Sequence, residues 1–184
     1  MRPRTTPRGS VIHWLSVMGK IELTQPIAAP PRHVFAFFVP QRMPYWYGAE
    51  MESCFEVQDG AADFALGQKV RISGKLGSRS VSHTAVVTGF EPGRLLEWRF
   101  QDAHGVRGLE RWELEGVWAG SIDLPQHTIV HFAGQYELPG RLGRLLDWLL
   151  TRRAVARRSG EYLHRLAGLV EHRAQPSHSW SVVR

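Results

Sequence analysis

The last long stretch of the chain constrains it most. From the turn signal Pro139-Gly140 it runs to Arg173 without another proline. As an α-helix, Arg141–Arg173 would be roughly 50 Å long at about 1.5 Å per residue. Turned at about 100° per residue, Leu142, Leu145, Leu149, Ala156, Gly160, Leu163, Ala167 and Val170 share one arc. Arginines (Arg144, Arg153, Arg157, Arg158, Arg165) dominate much of the rest. This is an amphipathic helix whose apolar stripe needs a partner. The stripe is uneven, with leucines at both ends and Ala156, Ser159 and Gly160 between them; Arg152 also falls inside the arc. A mid-helix glycine is unfavourable by about 0.5–1 kcal/mol relative to alanine. The spacing therefore predicts a helix that grips at both ends and leaves room at its waist, for strand side chains or for a ligand.

The partner is a sheet. Lys20–Ile27 alternates as a strand; Pro30-Pro31 then opens a short helix carrying Val34, Phe35, Phe37 and Phe38, which Pro40 stops. The aromatic-rich Met43–Gly48 reads as a second short helix or tight loop. From Glu50 the period becomes two over Glu50–Gln58, Gln68–Leu76, Val81–Phe90, Leu95–Gln101, Val106–Glu115 and Thr128–Glu137. Short turns such as Asp59-Gly60 and His104-Gly105 make these an antiparallel meander, and the longer link Gly116–Gln126 would protrude. Alternation places Trp98 and Phe100, then Trp112 and Leu114, on one face. Glu110 shares the parity of Trp112, so a carboxylate faces the interior; Val130, Phe132, Gly134 and Tyr136 form another inward row unless a bulge intervenes.

A seven-stranded antiparallel sheet has one apolar face to cover, and the final helix alone is long enough. The expected fold is α+β: a curved seven-stranded sheet wrapped around the C-terminal helix, with two short helices closing one end. Residues 1–19 read as a flexible basic tail (Met18 could be an alternative start), 20–173 as one domain and 174–184 as a second tail. An apolar share of 43% and a charged share of 22% suit a globular domain. No run of 18 apolar residues exists, so no transmembrane helix is expected. Val11–Met18 lacks a cleavage site, which argues against a secretory signal. The single cysteine, Cys54, excludes an internal disulfide framework and suits the cytoplasm; it reads as a buried small apolar residue.

This order of elements resembles the START-like, helix-grip superfamily (SRPBCC), in its polyketide cyclase/dehydrase and lipid-transport branch. The resemblance covers about Lys20 to Arg173. It is carried by Ile27-Ala28-Ala29-Pro30-Pro31-Arg32-His33-Val34-Phe35-Ala36-Phe37, by Thr88-Gly89-Phe90-Glu91-Pro92-Gly93-Arg94-Leu95-Leu96-Glu97-Trp98 and by the final helix. It implies an internal apolar cavity under that helix, which the superfamily uses for lipids, polyketides and other small hydrophobic molecules. Some members are enzymes, some carriers, and some bind proteins or ribosomes, so the fold alone does not choose.

Established catalytic motifs are missing. There is no G-x-S-x-G elbow, and Gly67–Leu76 fails as a phosphate loop because six residues separate its glycines and Leu76 stands where Ser or Thr is required. His127 and His131 would lie about 13 Å apart along a strand, too far to share a metal, and nothing implies a metal or cofactor. Polar anchors for a pocket remain: Glu110, Tyr136, Arg152 and Ser159. Glu110 could orient a hydroxyl or act as a base and Arg152 could bind a carboxylate or enolate, or the two could simply pair with each other. Apolar walls would come from Phe35, Phe38, Trp46, Phe55, Ile72, Trp98, Phe100, Trp112 and Phe132, with Ala156, Gly160 and Leu163 from the helix.

Three functions compete. The first is binding of a small hydrophobic ligand such as a lipid or polyketide-like molecule. The second is a cyclase or dehydratase using Glu110 and Arg152. The third is an adaptor docking on RNA, ribosome or anionic membrane through Arg153, Arg157, Arg158 and Arg165, in keeping with a net charge of +6. Monomer and homodimer both stay open.

Overall fold

The computed structural model describes residues 17–103, 105–118, 126–138 and 146–174; for 17, 18, 59, 76, 138, 146–152, 173 and 174 it describes the backbone alone. Seven strands form one antiparallel sheet: β1 (Val17–Ile27), β2 (Cys54–Val57), β3 (Lys69–Leu76), β4 (Arg79–Glu91), β5 (Leu95–Asp102), β6 (Arg107–Val117) and β7 (His127–Leu138). Their order is β1-β7-β6-β5-β4-β3-β2, so the meander from β2 to β7 is closed by β1 alongside β7. The helix α2 (Leu146–Ala174) covers one face. The helix-grip α+β architecture expected from the order of elements is the one observed.

Boundaries differ where backbone chemistry overrides pattern. β1 starts at Val17 rather than Lys20, because its ladder to β7 continues as far as Val17 opposite Leu138. β2 starts at Cys54 rather than Glu50. Gly48 (φ 67°) and Glu52 (φ 49°) are left-handed and frame a 3-10 turn over Ala49–Met51, which removes those residues from the strand. Cys54, expected buried, is exposed. Phe55 and Val57 pair with the inward Ile72 and Val70, so parity turns Cys54 out. The first helix, α1 (Pro31–Phe35), is one short turn with Pro31 at its first position, and the aromatic segment forms a 3-10 turn over Met43–Tyr45. A bulge between Val87 and Gly89 resets the alternation, so Phe90 pairs with Leu96 and packs on Phe35. The waypoints Pro139-Gly140, Leu142, Arg144 and Leu145 lie outside the described residues, as do 1–16 and 175–184 of the two tails, whereas 17–19 belong to β1 and Ala174 ends α2.

The core sits between sheet and helix. Val34, Phe38, Met43, Trp46, Trp112, Val130, Leu163, Leu166 and Val170 are all at most 3% exposed. Burying an aliphatic side chain of this kind is worth about 1.5–3 kcal/mol, so this block dominates the stability. The Trp46 indole donates to the Phe37 carbonyl over 3.0 Å, satisfying its buried N–H. Two contacts pin α2: Glu171 accepts from the Ala28 amide over 2.9 Å, and Glu50 accepts from Tyr162 (2.8 Å) and Arg165 (2.6 Å).

Candidate functional site: a buried carboxylate on the concave face

The register of β6 sets Glu110 between Trp98 on β5 and Gly134 on β7. Glu110 is 5% exposed. Its Oε2 accepts from the Tyr47 hydroxyl over 2.7 Å and from the Trp98 indole N–H over 3.0 Å; its Oε1 accepts from the Tyr136 hydroxyl over 2.8 Å. A buried charge is tolerated only when it is paired or hydrogen-bonded, and three donors supply that. Burial pushes the Glu110 carboxyl up, the bonds from Tyr47, Tyr136 and Trp98 pull it back, and the balance leaves it above its ordinary value. Burial, reinforced by Glu110, holds both the Tyr47 and Tyr136 phenols far above theirs, so each keeps its proton.

Each donor is itself fixed. Tyr47 follows the 3-10 turn, and Ser53 donates its hydroxyl to the Tyr47 carbonyl over 2.6 Å. The Tyr47 ring lies 5.8 Å from Trp98, 5.7 Å from Phe55 and 5.0 Å from Tyr162. Tyr136 lies back over Gly134, where a Cβ would come within 2.8 Å of its ring and hydroxyl. Phe100 similarly covers Gly108 and stands 6.0 Å from Tyr136. Two inward glycines thus let two aromatic rings lie flat on the sheet. The Ser159 hydroxyl on α2 is close enough to Tyr136 to draw its phenol slightly down.

The concave face has two halves, with Glu110 on the border. Towards α1 it is sealed by the core. Towards the β3–β4 hairpin the inward residues His83, Phe100, Gly108 and Tyr136 are half-buried, as are Val155, Ala156 and Gly160 on the helix above. A Cβ placed on Gly160 meets nothing within 4 Å. His83 is paired in register with Asp102 and packs 5.2 Å from Phe100. Burial lowers its pKa, Asp102 opposing, so the ring is neutral at neutral pH.

Of the expected wall residues, Phe35, Phe38, Trp46, Trp112, Phe132 and Leu163 are sealed core, and Phe55, Ile72 and Trp98 are buried around Tyr47. Phe100, Tyr136, Ala156 and Gly160 line the half-open end, and Ser159 sits between the halves at 6% exposure. The Arg152 side chain lies outside the described residues, and Glu110 is satisfied without it. The helix waist is not empty, because Tyr162 fills part of it. Tyr162 stands three residues after Ser159 and four before Leu166, a spacing that could have placed it on the inner face. Tyr47, Glu50 and His83 were also missed; His83 shares the parity of Ala85 and Val87, which was the available signal.

A second hollow, of about 420 Å³, opens beside Pro40, Pro44, Cys54 and Glu56. A third, of about 540 Å³, lies largely among outward residues including Thr84, Val86, Arg99, Arg107 and Leu109. Neither adjoins Glu110. Among the described residues no group of three or more His, Cys, Asp or Glu is placed to hold a metal, and no helix is long and apolar enough to cross a membrane. His131 contacts Glu115 over 2.9 Å on the outer face.

Comparison with known proteins agrees with this fold. A family model described as polyketide cyclase/dehydrase and lipid transport matches residues 18–171. Solved structures are similar at low identity. A protein of unknown function, SA2116 from Staphylococcus aureus, is 12% identical with a TM-score of 0.67, covering 88% of this chain and 99% of its own. Zhui aromatase/cyclase from Streptomyces sp. R1128 is 16% identical (TM-score 0.63; 88% and 99%), and TTHA0849 from Thermus thermophilus is 19% identical (TM-score 0.57; 85% and 100%). At such identities these likenesses establish the fold alone. No functionally curated protein matches the sequence.

Proposed function

We propose a function from one premise: the chain belongs to the polyketide cyclase/dehydrase and lipid transport family. On that footing the protein binds a small hydrophobic molecule, of lipid or polyketide-like character, on the half-open part of the concave face. The observation that carries this reading is the contrast between the two halves. One end of the same face is closed by large side chains such as Trp46, Trp112 and Leu166, each at most 1% exposed, while the other presents Phe100, Tyr136, Val155 and Ala156 incompletely covered beside a buried polar group. Apolar walls with a few oriented polar atoms are the usual make-up of a small-molecule site. Tyr136 is the oriented atom, and Glu110 holds it.

Native mass spectrometry of the purified protein, followed by a thermal-shift screen of lipids and polycyclic aromatics, tests the reading. It expects a co-purifying apolar molecule or a stabilising shift from at least one class. No adduct and no shift across the screen would contradict it.

A second reading, a cyclase or dehydratase, is favoured by the raised Glu110 carboxyl one hydrogen bond from Tyr136. Glu110 would take a proton from a substrate carbon, and Tyr136, released as that carboxylate is neutralised, would turn its hydroxyl from Glu110 to the oxygen that becomes negative. It predicts loss of turnover in Glu110→Gln with folding intact. The adaptor reading gains less. Arg158 and Arg165 are drawn to Glu50 and Arg157 to Glu161, which offsets part of the charge on that helix face.

A further inference from the structure

We propose that the concave face selects its ligand by a hydrogen-bond donor, taking neutral phenol- or alcohol-bearing apolar molecules and rejecting carboxylates. This rests on the ligand-binding reading above and names the chemistry that site would accept.

The argument starts from the order of the protons. Trp98 N–H can only donate, and the Tyr47 and Tyr136 hydroxyls both direct their hydrogens at Glu110. Once its proton is committed to Oε1, the Tyr136 oxygen has lone pairs left and nothing to donate. Chains of hydroxyls ordered by a buried carboxylate reinforce each other, so the free end of this one offers acceptors to the half-open space. A ligand hydroxyl satisfies such an end; an ether or a carboxylate meets lone pair against lone pair.

Charge points the same way. Taking every inward position of the seven strands among the described residues, the charged or basic side chains are Glu110, Asp102, His83 and Arg79. One arginine shares that parity, Arg79, exposed where β4 leaves the hairpin turn; Lys69, Arg71, Lys75, Arg99, Arg107 and Arg111 all point outward. His83 is neutral at neutral pH, as burial lowers it. From the helix, Arg158 and Arg165 turn to Glu50. An anionic ligand seated against Tyr136 and Glu110, deeper in the face than Arg79, would therefore enter a poorly solvated space beside a buried carboxyl group, which is unfavourable.

The test uses the full chain and three matched probes at neutral pH in isothermal titration: 2-naphthol, 2-methoxynaphthalene and 2-naphthoate. They share an apolar body and differ in donor and charge. The expected result is 2-naphthol binding about tenfold or more tightly than either of the others. Tyr136→Phe should abolish that preference, bringing the affinities of 2-naphthol and 2-methoxynaphthalene together. Equal or tighter binding of 2-naphthoate overturns the proposal and leaves hydrophobic-ligand binding standing, with Arg152 as the next group to test. Equal binding of 2-naphthol and 2-methoxynaphthalene removes the donor requirement. Binding of none of the three, alongside an empty lipid screen, overturns both readings together.

Discussion

Tyr136 donates to Glu110 Oε1 over 2.8 Å, reaching from β7 to the neighbouring strand across the bare backbone of Gly134. The bond exists because Gly134 stands directly opposite Glu110 and lacks the Cβ that would occupy the path of the ring. One glycine therefore decides which way the polar group of the concave face points.

Gly134→Ala should displace Tyr136. The new methyl would lie 2.8 Å from its ring and hydroxyl, so either the ring moves or the strand does. A loss of about 1–3 kcal/mol in urea unfolding is expected, typical of overpacking. The double variant Gly134→Ala with Tyr136→Ala should recover part of that loss. Additive losses would show that the two residues do not interfere.

Gly160→Ala should have the opposite sign. Its Cβ meets nothing within 4 Å and the residue lies inside α2, so alanine gains about 0.5–1 kcal/mol from helix propensity. Thermal unfolding of ligand-free protein should shift upward. If a ligand occupies the space beside Gly160, the same variant weakens its binding, so stability and affinity part company.

Glu110 gives a pH dependence whose sign is fixed. Its folded value is raised, so the stability it contributes is complete below the ordinary value of 4.5 and is lost as pH rises through the folded value. Glu110→Gln cannot titrate. Measured against that variant, the wild type should lose ground as pH is raised from acid to neutral, and a flat difference would contradict the burial argument.

Glu50 behaves in reverse. Burial works to raise its carboxyl, but the bonds from Arg165, the backbone and Tyr162 prevail and leave it lowered. Its contribution is therefore present above 4.5 and is lost as pH falls through the lowered value. Glu50→Ala should cost about 1–2 kcal/mol at neutral pH, since the pairs are partly exposed, and the cost should vanish in acid. A cost that persists in acid would mean the anchor is packing rather than charge.

How much of this was legible in the sequence follows from what period and parity can encode. Period two placed Glu110, Trp112 and Tyr136 inward, and the long proline-free stretch found the covering helix, because both signals are local. The Glu110 network was not legible. Tyr47 reaches it from a 3-10 turn 63 residues earlier in the chain, and no spacing rule foretells that approach. Cys54 was misplaced because the usual burial of a free cysteine was set above parity, which turns it out while Phe55 and Val57 face in. Tyr162 was overlooked on the inner arc although its spacing allowed it, so the helix waist looked barer than it is.

The most direct test of the central account is methyl NMR of the full chain titrated with 2-naphthol. The account predicts shifts concentrated at Val155 and Ala156, on the half-open end, with Val34 and Val130 in the sealed core unmoved. Shifts confined to Val86 and Leu109 on the outer face, or no shift at saturating probe, would contradict it.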